Sequence, residues 1–412
     1  MYKKSTLIIG IAIIILVTSI MTFSISAVVF LGPRFNNHYE ISFDQGSVNY
    51  ESIKKFNQAR KALKDNFYEI VDENVLLEGA VAGMADSLKD PYTVYYTKEQ
   101  MDKILEIPKQ SEETYVGIGV SIISDIDGLV TVVEPFVGSP AYEVGIKRGD
   151  KIIAINDEDV TALRDESAVV KMIKGPENTT VKVTVFRPSD GRPIDFEITR
   201  KKITIQLNIR SEVLEDNIGY IRLISFMDDK IDKEFNEHLK KLLDKKITAL
   251  VVDVRDNPGG YYSKVVKIVD RLIPEGVIVY TEDRDKTVQK EVSNKTQIEI
   301  PLAILVNGNS ASASEILAGA IKDHKKGAII GTKTFGKGLV QNLLPLEDGS
   351  GIKITVSRYF TPSGVCIHGT GVEPDVTVEL DKKYDYTPIS QIPREDDQQL
   401  KKAVEMLKRL AS

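Results

Sequence analysis

Three serines stand close together in Ser310-Ala311-Ser312-Ala313-Ser314-Glu315, just after the apolar run 302–306, which reads as a strand. A strand-to-helix turn is where open α/β sheets place ligands and nucleophiles. A serine at a helix N-terminus also lies beside N–H groups that have no intrahelical partner, at the positive end of the helix dipole. Such groups can hold the oxyanion that forms when a hydroxyl attacks a carbonyl. The same residues spell a capping box, Ser312-x-x-Glu315, and Ser310 or Ser314 could cap as well. The segment alone therefore fits a nucleophile or a plain helix start.

A serine nucleophile needs a base. No G-x-S-x-G elbow is present. His324 follows 12 residues on, beside Lys322, Lys325 and Lys326, and reads as exposed, so a serine–histidine–aspartate triad has weak support. Lysine is the other option, and it serves only when neutral, which requires burial without a carboxylate partner. Lys337 sits in Phe335-Gly336-Lys337-Gly338-Leu339-Val340, an apolar tight turn, with no acidic residue from Gly331 to Leu346. Gln341, four residues on, could orient an amine without stabilising its charge. A solvated lysine in a glycine turn is the competing reading. The stretch from Gly331 to Lys337 also fits the P-loop pattern G-x-x-x-x-G-K. The next residue is Gly338, though, where a magnesium-binding Ser or Thr is needed, so an ATPase is disfavoured.

Two glycine motifs offer backbone donors. Asn257-Pro258-Gly259-Gly260 follows the apolar strand expected over 249–254, and its glycines let the chain approach a ligand closely or simply turn. Tyr115-Val116-Gly117-Ile118-Gly119-Val120 opens another strand. Successive N–H groups in such a loop can cradle a carboxylate. With a strand edge and a helix expected over 165–173, it would form a groove for an extended peptide end. An ordinary glycine-rich strand start is the simpler alternative.

These residues need scaffolds, and the hydrophobic pattern supplies them. Between 115 and 202, short β-rich runs at 116–123, 130–133, 151–155 and 181–186 make one small domain with a helix or two. From 217 to 380, strands at 249–254, 302–306 and 328–330 alternate with helices ending near 272 and spanning 313–324, the mark of an α/β domain with parallel pairing. Residues 50–107 read as mostly helical, with Phe56, Ala59, Leu63, Phe67 and Ile70 on one stripe, and 396–410 form an amphipathic tail helix.

The whole chain has 412 residues, 54 basic and 60 acidic, and a net charge of −6, which argues against a nucleic-acid partner. Its single cysteine, Cys366, excludes an internal disulfide and a Cys-rich zinc site. The four histidines (38, 238, 324, 368) include no HExxH pair, so a metalloenzyme is not expected. Residues 6–31 carry no charge, and as a helix they span about 39 Å, enough to cross a bilayer. Lys3 and Lys4 precede them, so the body is expected outside the cytoplasm, anchored or, if the segment is a cleaved signal, released.

Together these motifs resemble the C-terminal processing peptidases, serine proteases of family S41 with a Ser–Lys dyad and an inserted PDZ domain. The resemblance rests on an ordered series of motifs over residues 79–380. It begins with Gly79-Ala80-Val81-Ala82-Gly83-Met84, Asp90-Pro91-Tyr92 and Gly117-Ile118-Gly119-Val120. Gly138-Ser139-Pro140-Ala141 and Gly219-Tyr220-Ile221-Arg222 follow, then Asp253-x-Arg255-x-Asn257-Pro258-Gly259-Gly260, the serine run and Thr334-Phe335-Gly336-Lys337-Gly338. Thr361-Pro362-Ser363-Gly364 and Gly371-Val372-Glu373-Pro374-Asp375 close the series. It implies an α/β, ClpP/crotonase-like protease core with an inserted PDZ domain, flanking helices and an N-terminal transmembrane helix. The boundaries are 1–39 anchor and linker, 40–113 helical region, 114–202 PDZ domain, 203–380 core and 381–412 tail. It implies Ser312 as nucleophile, Lys337 as general base and Gln341 as its assistant. Backbone N–H groups of Ala313, Gly259 and Gly260 would bind the oxyanion, and the loop Gly117, Ile118, Gly119, Val120 the peptide end. No cofactor is implied. The partners are protein or peptide substrates with free C-termini, the membrane, and a second copy through the terminal helices 50–70 and 396–410. The competing class is an inert, membrane-anchored PDZ adaptor; a Ser–His esterase using His324 or His368 is a third reading.

Overall fold

The computed structural model describes residues 49–105, 114–124, 128–161, 163, 166–204, 208–294, 297–385 and 387–411. The apolar run 6–31 lies outside them. Among the described residues no helix is long and apolar enough to cross a membrane.

The chain divides into a short N-terminal unit, up to Leu76, and a large one from Leu77 on. In the first, a helix covers Tyr50–Asn66, capped by the Asn49 side chain, which accepts the Ser52 N–H at 3.1 Å. It buries no residue, and Phe67 and Ile70 of the expected stripe fall beyond its end.

The heart of the large unit is a parallel sheet. Its strands run in the order Ile209–Val213, Ile218–Leu223, Ala249–Asp253, Leu302–Val306, Gly327–Gly331 and Val376–Thr377, with only the first antiparallel. Side chains alternate across it with period two. Leu250, Val252 and Ile304 face the helices Ile231–Asp244, Tyr262–Leu272 and Ala313–Asp323 in one apolar cluster. Ala249, Val251, Ala303 and Leu305 face Leu400, Ala403 and Leu407 of the tail helix Gln398–Ala411 on the other side. Burial on both faces explains why these strands read as unbroken apolar runs. The apolar face of the tail is therefore spent within the chain.

A second, antiparallel core sheet has the order Val94–Tyr96, Gly351–Phe360, Gly276–Asp283, Val288–Ser293, with Leu339–Pro345 also paired to Gly351–Phe360. The described part of the region 50–107 is mostly helical, with helices Tyr50–Asn66, Glu73–Asp86 and Lys98–Leu105, and it adds the strand Val94–Tyr96 to this sheet. The strand Leu339–Pro345, directly after the Gly336-Lys337-Gly338 turn, also removes the helix that a P-loop requires.

The small inserted domain is tied at its base, where Thr114–Gly117 pairs with Lys201–Thr204. Its sheet runs Val120–Ser124, Val130–Pro135, Lys151–Ile155, Thr180–Arg187, Arg192–Thr199, with the helix Glu166–Ile173 alongside. The strand expected over 116–123 is broken at Ile118-Gly119, where Gly119 takes φ +79° and a β-carbon would lie 2.4 Å from that of Ser139.

Candidate active site

The three serines separate in space. The hydroxyl of Ser310 donates to the Val254 carbonyl at 2.8 Å, and that of Ser314 to the Asn257 carbonyl at 2.9 Å. Both are fully buried and lash the serine turn to the Asn257 loop. Ser312, between them, is half-buried at the N-terminus of the helix Ala313–Asp323. Its backbone holds φ +54° and ψ −111°, a conformation that L-residues pay strain to adopt and that clusters at functional sites. The turn is thus a strained strand-to-helix elbow reached without the G-x-S-x-G signature.

Glu315 is fully buried and collects four donors. Its Oε2 accepts the Ser312 N–H at 2.9 Å and the Lys337 N–H at 2.8 Å. Its Oε1 accepts the Thr334 hydroxyl at 2.6 Å and the Gly336 N–H at 2.7 Å. One carboxylate oxygen therefore holds the backbones of Ser312 and Lys337, so their nitrogens lie no farther apart than the sum of those two lengths. Burial pushes the Glu315 carboxyl above its ordinary range, against the pull of these four donors. Three of the four donors are backbone N–H groups, which cannot accept an acid proton, and this favours the carboxylate form. The Ser312-x-x-Glu315 spacing exposed only the capping arm of this hub; its grip on the lysine turn has no local sequence signal.

Lys337 projects its Nζ over the Tyr92 ring, 4.7 Å from the centroid. An aromatic face attracts a cation, so this pose suits the resting ammonium. The turn is braced from behind. A β-carbon on Gly338 would lie 2.3 Å from the His368 nitrogen, and the Gly369 N–H donates to the Gly336 carbonyl at 2.9 Å. Gln341 sits on the strand Leu339–Pro345 at a register shift, its Nε2 3.4 Å from the Thr355 hydroxyl.

Gly259 approaches the serine closely. With φ +104°, it has room for no β-carbon, which would lie 2.9 Å from that of Ser312 and 3.1 Å from the Ala313 nitrogen. Its own N–H donates to Asn257 Oδ1 at 2.9 Å. Among the described residues, the N–H groups of Ala313 and Gly260 donate no such bond. The Gly259 donor named from the resemblance is thus occupied, and the other two remain. His324 is not a partner for Ser312. It caps the opposite end of the same helix, about 18 Å away at 1.5 Å per residue, with Nε2 on the Val277 carbonyl.

Beneath the Asn257 loop lies a buried ionic set. Arg255 bridges Asp253 and Asp397 with contacts of 2.6 and 2.8 Å, and the Tyr220 hydroxyl donates to Asp253 at 2.7 Å. Burial raises the Asp253 carboxyl, yet Arg255, Arg222 and Tyr220 outweigh it and leave the group below its usual value.

The small domain leans on both loops. Its Ile123 and Val133 pack with Ala311 and Phe335, neighbours of Ser312 and Lys337. Its Arg148 pairs with Asp256 at 2.8 Å, just ahead of Asn257. The expected groove is present, with a volume of about 300 Å³. The loop Ile118-Gly119-Val120 and the strand Val120–Ser124, whose outer edge has no strand partner among the described residues, form one wall; Val170 and Ile173 form the other. The groove extends to Pro258, one residue from Gly259.

Residues 217–378 match the model of peptidase family S41, 130–187 a PDZ domain, and 30–100 the N-terminal domain of the activating protease CtpB. The carboxy-terminal processing protease CtpB of Bacillus subtilis is 33% identical over 82% of this chain and 70% of its own. The chain belongs to peptidase family S41. A probable CtpA-like serine protease of Staphylococcus aureus is also 33% identical, over 92% of this chain and 73% of its own. Among solved structures, the photosystem II D1 C-terminal processing protease superposes with TM-score 0.65 at 28% identity, over 81% of this chain and 94% of that one. This S41 peptidase is a C-terminal processing serine protease with a PDZ domain, acting on protein or peptide substrates.

Proposed function

We propose that this peptidase cuts with a Ser312–Lys337 dyad, on a polypeptide whose C-terminus the PDZ groove holds. The observation that carries the reading is the shared grip of Glu315 Oε2 on the backbones of Ser312 and Lys337. Lys337 leaves the Tyr92 face as a neutral amine and takes the Ser312 proton while Ser312 attacks the scissile carbonyl. The Ala313 and Gly260 N–H groups hold the oxyanion. Lys337 then protonates the leaving amine, and water hydrolyses the acyl-enzyme. Gln341 steadies the amine. The substrate end adds to the edge strand Val120–Ser124, with its carboxylate in the loop 117–120.

In the same reading the core is ClpP/crotonase-like, and residues 6–31 anchor the enzyme with its body outside the cytoplasm. The exposed Phe56 and Leu63 of the first helix support a homodimer through residues 50–70. The adaptor alternative and the protease part on one experiment. Ser312→Ala abolishes β-casein cleavage by purified protein and retains C-terminal peptide binding; undiminished cleavage overturns the dyad.

A further inference from the structure

The groove has a charged end on the protease core that closure of the PDZ sheet does not need. Arg222 is the penultimate residue of the strand Ile218–Leu223, and its side chain is only 6% exposed. Its Nη2 reaches Glu134 of the PDZ strand Val130–Pro135 at 3.4 Å, long for a charge-assisted hydrogen bond. Its Nε is buried without a hydrogen-bond partner among the described residues. An unsatisfied buried donor is costly, and a guanidinium presents a planar fork that fits one carboxylate with two bonds. Glu134 meets that fork poorly because its other oxygen is held by the Ser390 hydroxyl at 2.8 Å. Lys174 and Arg210 also line the groove, against Glu134 as its one acidic residue, in a chain whose net charge is −6. Three basic side chains against one acid along the lining favour an anion there, with the buried Asp253 of the neighbouring strand offsetting part of the Arg222 charge.

We propose that Arg222 is a specificity residue that reads an acidic side chain of the bound polypeptide, a few residues before its C-terminus. The incoming carboxylate takes the Nε–Nη2 edge of the guanidinium with two bonds and displaces Glu134. Apolar positions such as Val120, Phe136 and Ile173 take the neighbouring side chains. Lys174, whose Nζ lies over the Tyr115 ring at 4.9 Å, stands at the PDZ end of the same groove. This inference rests on the reading that the groove holds a polypeptide C-terminus.

The test is fluorescence anisotropy with the full chain carrying Ser312→Ala and peptides ending in apolar residues. A single Glu is scanned through the six positions before the last, each peptide paired with its Gln counterpart, with free and amidated C-termini. At one position Glu binds at least about tenfold tighter than Gln, the scale of a hydrogen bond to a charged group away from water. Arg222→Gln brings that ratio close to one. The ratio is internal to each variant, so a loss of folded protein lowers both peptides alike. Glu134→Gln, which removes the competitor, raises the ratio. Equal binding of Glu and Gln peptides at every position overturns the inference and leaves the groove reading standing. A preference that follows amidation of the terminus rather than the Glu places the terminal carboxylate on Arg222 and likewise overturns it. Failure of every peptide to bind removes the groove reading and this inference with it.

Discussion

The residue with most reach at this site is Glu315, through the four donors it gathers. Glu315→Gln sets an amide NH2 against two N–H or O–H donors, and the lysine turn loses its register. Cleavage by that variant is expected to fall at least about a hundredfold, the effect of losing two buried hydrogen bonds to a charged group. Thr334→Val removes one donor and is expected to cost about tenfold. Initial rates on one peptide substrate check both, and a Glu315→Gln enzyme within a factor of three of the parent contradicts the hub. Gly259→Ala is a second check at this scale. Its β-carbon meets that of Ser312 at 2.9 Å in a backbone that disfavours L-residues, so cleavage collapses while PDZ peptide binding survives. Much of this was legible in the sequence: the serine run, the lysine turn and the paired glycines are all present locally. The local pattern left Ser310, Ser312 and Ser314 open and only the family resemblance singled out Ser312, because what occupies the other two hydroxyls, the Val254 and Asn257 carbonyls, lies more than 50 residues away. Glu315's grip on the turn at 334–337 was hidden for the same reason.

Among the elements, the parallel strands were readable and the second sheet was not. Ala249–Asp253 and Leu302–Val306 are buried on both faces and stand out as apolar runs. Val288–Ser293 and Leu339–Pro345 are largely exposed, and their mixed composition carries little period-two signal. The tail helix was legible as amphipathic, but only the fold shows that the sheet covers its stripe and that Asp397, at its start, completes the Arg255 bridge. Removing one partner of a buried ionic set typically costs roughly 3–5 kcal/mol. Asp397→Ala is expected to destabilise the large unit on that scale, read by denaturant unfolding. Acid acts on the same set. The Asp253 carboxyl lies below its unfolded value in the folded chain, so its contribution is complete above about pH 4 and fades as pH falls through the lower, folded value. Asp253→Asn lowers stability at neutral pH and flattens the acid decline; an unchanged acid limb contradicts this account.

Across the whole large unit, the PDZ domain is part of the active-site support. Ile123 and Val133 press on Ala311 and Phe335, and Arg148 clasps Asp256 beside the Asn257 loop. Arg148→Ala is expected to speed amide hydrogen exchange across 253–260 by about tenfold or more, the scale of freeing a partly buried ion pair. Unchanged exchange there means the clasp is decorative. An inserted domain was evident from the switch between strand-rich and alternating patterns at 115–202. Its contact with the serine and lysine loops was not, since it joins residues more than 170 apart in sequence. In the proposed function, all of these supports serve the Ser312–Lys337 pair. Fluorophosphonate labelling of the purified enzyme with peptide mapping tests that pair most directly. The adduct falls on Ser312 in the parent and is lost in Lys337→Met; an adduct on any other residue, or full labelling without Lys337, contradicts the dyad.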